Sequence, residues 1–100
     1  MNEVDGPASD PLPDVSVVIP TWNGAGHLRA CLTALAVQTR PPDEVIVVDN
    51  HSTDDTVAYL KQHLPQVKLI SNKLNKGFGG GNNQGVKAAK GTYILLVNTD

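Results

Sequence analysis

The sequence predicts an α/β fold: a doubly wound, parallel sheet of about four strands with flanking helices. Three observations carry this prediction. Four short β-branched or aliphatic runs recur, at residues 15–19, 44–48, 67–70 and 93–97. Segments of helical length and pattern separate them. Polar residues crowd the carboxyl ends of the runs: Thr21 and Asn23, Asp49 and Asn50, Asn72, then Asn98 and Asp100. Crossovers of this length imply parallel pairing with right-handed connections, so all the carboxyl ends fall along one edge. In open parallel sheets that edge binds ligands, at the point where strand order reverses.

Residues 1–14 combine three Pro, one Gly and four acidic residues without apolar periodicity, and read as a flexible leader. The first run, VSVVI, is stopped by Pro20, whose missing N–H would break a ladder. Leu28, Leu32 and Leu35 recur at i, i+4, i+7, which predicts an amphipathic helix ending near Thr39, before Pro41-Pro42. EVIVV is the second strand. Ser52 and Asp55 after it resemble a capping pair for a helix carrying Val57, Leu60 and Leu64 and finishing before Pro65. The third strand precedes a loop, residues 72–81, too rich in glycine to be regular. Asn82 or Asn83 then caps a short helix running to Lys90. TYILLVNTD closes the chain: residues 93–97 are uncharged, the signature of a strand buried on both faces, and the polar Asn98 and Asp100 follow at once.

A length of 100 residues, 40% hydrophobic content and a net charge of −2 describe one soluble globular unit. Charge is uneven: residues 1–50 carry two Arg against seven acidic residues, and residues 51–100 six Lys against three Asp. An anionic ligand therefore suits the second half. Overall acidity and only four aromatic residues argue against nucleic acid as a partner. A lone Cys31 permits no intrachain disulfide, which points to a reducing, cytoplasmic compartment, and its place in an apolar helical pattern makes it a packing residue. No charged-then-apolar leader and no apolar run near twenty residues occurs in the chain.

Two phosphate-binding motifs fail against the glycine run. The fingerprint G-x-G-x-x-G meets Asn82 or Gln84 where its third glycine belongs, and it belongs after the first strand, where PTWNG stands. Gly80 and Gly85 have the Walker A separation, but Val86 follows in place of Lys. What remains is physical: the three consecutive glycines 79–81 let backbone amides approach a ligand beside a helix amino terminus. Lys73 and Lys76 flank the run, placed to face a diphosphate or solvent.

VSVVIPTWNG, EVIVVDNHSTDDT and NKGFGGGNNQGVKAAKGTYILLVNTD, in this order, resemble the amino-terminal half of a family 2 glycosyltransferase of the GT-A fold. The likeness runs from about Val15 to Asp100, and VVDN-x-STD and GFGGGNNQG look most like the bacterial rhamnosyltransferase type. The resemblance implies a sheet order of 3-2-1-4 and a nucleotide-binding half that is cut at residue 100. It also implies that Pro20, Thr21 and Asn23 cradle the nucleoside of a UDP- or dTDP-linked sugar, and that Asp49 and Asn50 contact base and ribose. Asn50 stands where the family usually has Asp. Gly77 and Asn82 join the nucleotide-sugar site from the glycine-rich segment.

Asn98-Thr99-Asp100 takes the place of the family's Asp-x-Asp motif, which implies a divalent cation, Mg²⁺ or Mn²⁺, on Asp100 and a sugar or ribose contact from Asn98. No catalytic base is visible; by resemblance it is expected beyond residue 100, as is the pocket for a glycan or lipid-linked acceptor. The expected role is donor binding in cell-envelope glycan synthesis, in the cytoplasm or at the inner face of the membrane. With order 3-2-1-4 the fourth strand is an apolar edge that invites self-association. Two rivals stand beside this reading: a complete non-catalytic nucleotide-binding or protein-interaction module, and a nucleotidyltransferase, whose glycine-rich loop after the first strand is not found at PTWNG.

Overall fold

The computed structural model describes residues 15–38 and 41–98. The leader, Thr39, Thr99 and Asp100 lie outside the described residues, and the first helix, expected to end near Thr39, already ends at Ala36. Within them strands and helices alternate: β1 (Val15–Thr21), α1 (Ala25–Ala36), β2 (Glu44–Asp49), α2 (Thr56–His63), β3 (Lys68–Ser71), α3 (Gly77–Ala88) and β4 (Tyr93–Leu96). The strands form one parallel sheet in the order β3-β2-β1-β4, as expected. Thr21 pairs with Asp49 and Asp49 with Ser71, so β1, β2 and β3 end level and share a carboxyl rim.

Strand alternation divides the core between two faces. Val17, Ile19 and Val47 meet Leu28 and Leu32 of α1 and Leu60 of α2, with Cys31 packed at the margin. Burial raises the Cys31 thiol above its ordinary value, as suits a packing residue. Val18, Ile46 and Val48 form the opposite face, with Ile70 and Ala89 beside them, and α3 lies over it.

β1 does not stop at Pro20. Pro20 pairs with Val48 and the strand continues to Thr21. Val18 O accepts from Val97 N on the β4 side and Thr21 O from Asn50 N on the β2 side. Pro20 shares the parity of Val18, so its nitrogen turns toward β4, whose pairing with β1 ends at Leu96. No ladder hydrogen bond is lost there.

The glycine run is the larger correction. It is helical: α3 starts at Gly77, and Asn82 lies buried in its middle instead of capping its start. Gly81 and Gly85, one turn apart, face the sheet. A Cβ on Gly85 would lie 2.1 Å from Val18 Cγ1, and one on Gly81 2.9 Å from Pro20 Cβ. Glycine weakens a helix by about 1 kcal/mol per residue relative to alanine; at these two positions its missing side chain allows close helix–sheet contact. Gly79 meets nothing within 4 Å, and packing gives no reason for it.

Two smaller expectations also change. Ser52 does not cap α2: its hydroxyl binds Asp49, while Asp54 Oδ1 accepts the Thr56 N–H at 3.0 Å. β4 is not buried on both faces, for Tyr93, Ile94, Leu95 and Leu96 are all exposed. It is an edge with β1 on one side only, so its apolar side chains stay open.

The amino end of β2 carries an electrostatic knot. Glu44 accepts from Ser16 Oγ at 2.7 Å and Lys90 N at 2.9 Å, and pairs with Lys68 Nζ, tying β1, β3 and the end of α3 together. The Lys68 hydrogen bond, followed by that from Lys90 N, holds the Glu44 carboxyl down at about 2, against 4.5 ordinarily. Its contribution to stability is therefore complete above 4.5 and is lost as pH falls from there toward 2. Urea midpoints measured from pH 6 to pH 2 are expected to show E44Q less stable than wild type at pH 6 and falling less with acid. Equal midpoints throughout would remove the knot from the stability argument.

Candidate functional site

The carboxyl rim is built by side chains bonding one loop to the next. At the β1 end Asn23, held at φ 48°, accepts from Thr53 N at 2.7 Å and Asp54 N at 3.2 Å through Oδ1. Its own N–H donates to Ser52 Oγ at 2.9 Å, and Ser52 Oγ donates to Asp49 Oδ1 at 2.6 Å. Ser52 N adds a bond to Asp49 Oδ2 at 2.9 Å. Asp49 and Asn23 thus clamp the β1 and β2 loops together, and Asp49 is only 1% exposed. Burial raises the neighbouring Asp54 carboxyl, but donors from Thr56 and Ala25 outweigh it and leave the group below its ordinary value.

On the other face, amides form a chain. Asn50 Oδ1 accepts from Asn72 Nδ2 at 3.0 Å and Lys76 N at 3.2 Å, and Asn50 Nδ2 donates to Gly77 O at 3.1 Å. Asn72 and Gln84 exchange a reciprocal pair at 2.6 and 2.8 Å. Asn75 Oδ1 accepts from Gly77 N at 2.8 Å, and Gly77 has φ 74°, a backbone shape that favours glycine. The start of α3 is therefore fixed to the end of β2 from both sides of Gly77. Asn50 replaces the usual Asp for a visible reason: its Nδ2 donates to a carbonyl, which a carboxylate cannot do.

A cavity of about 160 Å³ opens between the β1 end and the α3 start, lined by Pro20, Thr21, Trp22, Asn50, Gly77 and Phe78, with Asn75 beside them. Four residues singled out from the sequence meet there: Pro20, Thr21, Asn50 and Gly77. Asn23 and Asp49 do not line it and support its loops instead. Asn82 is 6% exposed, does not line the cavity, and its Oδ1 has no hydrogen-bond partner. Asn98 follows β4, exposed, and Asp100 lies outside the described residues. Sequence reasoning did not select Phe78, Asn75 or Gln84. An aromatic inside a glycine run, and an Asn two residues before a glycine, are the signals that point to the first two.

Among the described residues no three His, Cys, Asp or Glu side chains gather to hold a metal. Both oxygens of Asp49, the carboxylate on the rim, take bonds from Ser52. Asn98 alone can offer a hard cation only a neutral oxygen, so the described part of the Asn-Thr-Asp stretch is an incomplete ligand set. No helix among the described residues is long and apolar enough to cross a membrane.

Residues 16–100 match the family model described as Glycosyl transferase family 2. The poly(ribitol-phosphate) beta-glucosyltransferase of Bacillus spizizenii is 38% identical over 92 residues, which are 86% of this chain and 14% of that protein. Chondroitin synthase of Escherichia coli is 37% identical, over 89% of this chain and 13% of that protein. The chain thus spans about a seventh of either relative. The crystal structure of S. aureus TarS 1-349 in complex with UDP-GlcNAc superposes with a TM-score of 0.78 at 33% identity, covering 87% of this chain and 26% of that one. With its sheet order, glycine-bearing α3 and motifs all accounted for, the chain belongs to glycosyl transferase family 2.

Proposed function

We propose that the chain is the donor-nucleotide portion of a glycosyltransferase that moves a sugar from a nucleoside diphosphate to an acceptor hydroxyl in bacterial cell-envelope glycan synthesis. The carrying observation is the cavity formed by Pro20, Thr21, Asn50 and Gly77 on the carboxyl rim, beside the β1–β4 reversal point. The UDP-GlcNAc complex of TarS supports a UDP-linked donor, and the poly(ribitol-phosphate) glucosyltransferase name of the Bacillus relative supports a polymer as acceptor. The motif forms VVDN-x-STD and GFGGGNNQG support the finer rhamnosyltransferase type. The lone Cys31 supports a reducing, cytoplasmic place.

In this reading the chain's own residues bind and orient. The cavity takes part of the nucleoside, and the first amides of α3 with Lys73 and Lys76 favour the negative diphosphate. A divalent cation, Mg²⁺ or Mn²⁺, held with Asp100, offsets charge on the departing diphosphate when bound. Among the described residues none is assigned to the acceptor's glycan or lipid, or to the base that deprotonates its hydroxyl. The open apolar edge of β4 supports self-association.

Calorimetric titration with UDP and dTDP, with and without Mn²⁺, tests the reading. Wild type is expected to bind with the metal present, and D100A to bind at least about tenfold more weakly, as loss of a charged ligand predicts. Affinity indifferent to both metal and mutation would overturn the role of Asp100. Absence of nucleotide binding would overturn the function, and light scattering of the same samples reads the β4 edge.

A further inference from the structure

We propose that Phe78 is the second wall of a nucleobase clamp whose first wall is Trp22. The inference rests on the nucleotide-binding reading above and deepens it. Trp22 and Phe78 are 53% and 50% exposed, yet both line the same cavity, Trp22 from the turn after β1 and Phe78 from the first turn of α3. Large rings left half open on a shared concave surface are built to be covered.

The occupant is a planar ring system. The cavity's roughly 160 Å³ is below the volume of pockets that enclose a whole ligand, about 300 Å³ and upward, so it takes one part and leaves the sugar and diphosphate outside. The polar side chains at its edge are largely committed to one another. Asn50 gives its oxygen to Asn72 and Lys76 and its nitrogen to Gly77 O, and Asn75 Oδ1 holds Gly77 N. Asp49, the residue expected to read the base, is buried under Ser52. The two half-exposed aromatic rings therefore offer open apolar surface to this cavity, and the Thr21 hydroxyl beside them is buried without a partner.

Placement of the Phe78 ring is not left to a floppy loop. Gly77, immediately before it, is held by Asn75 on its N–H and by Asn50 on its carbonyl. Those two amides set the first turn of α3 and with it the wall of the clamp. Stacking of this kind tolerates every base, because each has a π-face, so the clamp supplies affinity for the nucleoside more than choice among bases.

The test is calorimetric titration of UDP and of inorganic pyrophosphate, with Mn²⁺ present, into wild type, F78A, F78L and F78Y. UDP is expected to bind about tenfold or more weakly to both F78A and F78L, and within about twofold of wild type to F78Y. Pyrophosphate, which lacks a base, is expected to bind all four alike. Trp22 is the single tryptophan of the chain, so UDP is also expected to quench the fluorescence of wild type. UDP binding that F78L retains and F78A loses makes Phe78 an apolar filler and overturns the clamp. Unchanged UDP affinity in every variant overturns it while leaving the nucleotide site standing, and so does a loss of pyrophosphate binding in F78A equal to the loss of UDP. Failure of wild type to bind UDP would bring down the nucleotide reading and the clamp with it.

Discussion

Gly85→Ala is expected to destabilise the protein by about 3 kcal/mol or more, at the upper end of what overpacking costs. The added Cβ would lie 2.1 Å from Val18 Cγ1, 3.1 Å from Cγ2 and 3.2 Å from Cβ. Rotation about χ1 of Val18 can bring its hydrogen to face the new methyl, but it leaves Cβ at 3.2 Å and drives a methyl into the close-packed surroundings of a fully buried side chain. Val18 is also completely buried in the middle of a central strand, which cannot shift without breaking its pairing to β2 and β4. The helix must move instead. At roughly 4–8 °C per kcal/mol for a domain of this size, the melting temperature should fall by more than about 12 °C. Gly26→Ala is the matched control: it lies in α1 with nothing within 4 Å of the new Cβ, and a gain of up to about 1 kcal/mol is expected. A double-mutant cycle with V18A locates the clash, because the truncated strand residue should recover part of the loss. Were G85A to melt with wild type, the contact of α3 with β1 would be wrong.

The same contact explains what could and could not be read from the chain. Strand positions and the parallel order were legible because β-branched runs, helical crossovers and polar strand ends all agreed, and the family motifs added the order β3-β2-β1-β4. The glycine run was misread because helix propensity is a local quantity, while Gly81 and Gly85 are selected by Pro20 and Val18, more than sixty residues earlier in the chain. Pro20 was misread as a stop for a related reason. Whether a missing N–H matters depends on which neighbour it faces, and that neighbour is strand β4 near the other end of the sequence. The tetrad at β4 was rightly read as a strand and wrongly as buried, since composition records apolarity but not which side chains find a cover. Within the site, the sequence identified the rim but not the division of labour on it. Asn23 and Asp49 bind loops together, whereas Phe78 lines the cavity from a segment that had been read as shapeless.

That division of labour makes the second prediction run against family resemblance: restoring the usual acid with N50D should harm the protein. Asn50 is 3% exposed, and its Nδ2 donates to Gly77 O while its Oδ1 receives Asn72 Nδ2 and Lys76 N. A carboxylate keeps the second set of bonds and replaces the first with two oxygens facing each other. Loss of that donor, with a buried charge added, should cost about 1–3 kcal/mol at neutral pH. The protonated carboxyl, however, can donate to Gly77 O. The folded state should therefore hold its proton more tightly than the unfolded chain, so the penalty should grow as pH rises and shrink as pH falls toward 4. Urea midpoints of wild type and N50D across pH 4 to 8 read this directly, and a gap that stays constant or widens with acid would refute the assigned hydrogen bond. The functional consequence follows from position: Gly77 and Phe78 are carried by that bond, so N50D should weaken UDP binding most where it is least stable, at the alkaline end of the range. A variant that restores the common family residue yet loosens the cavity would show that this chain holds the start of α3 by an amide donor, and that its departure from the family pattern belongs to the architecture of the site.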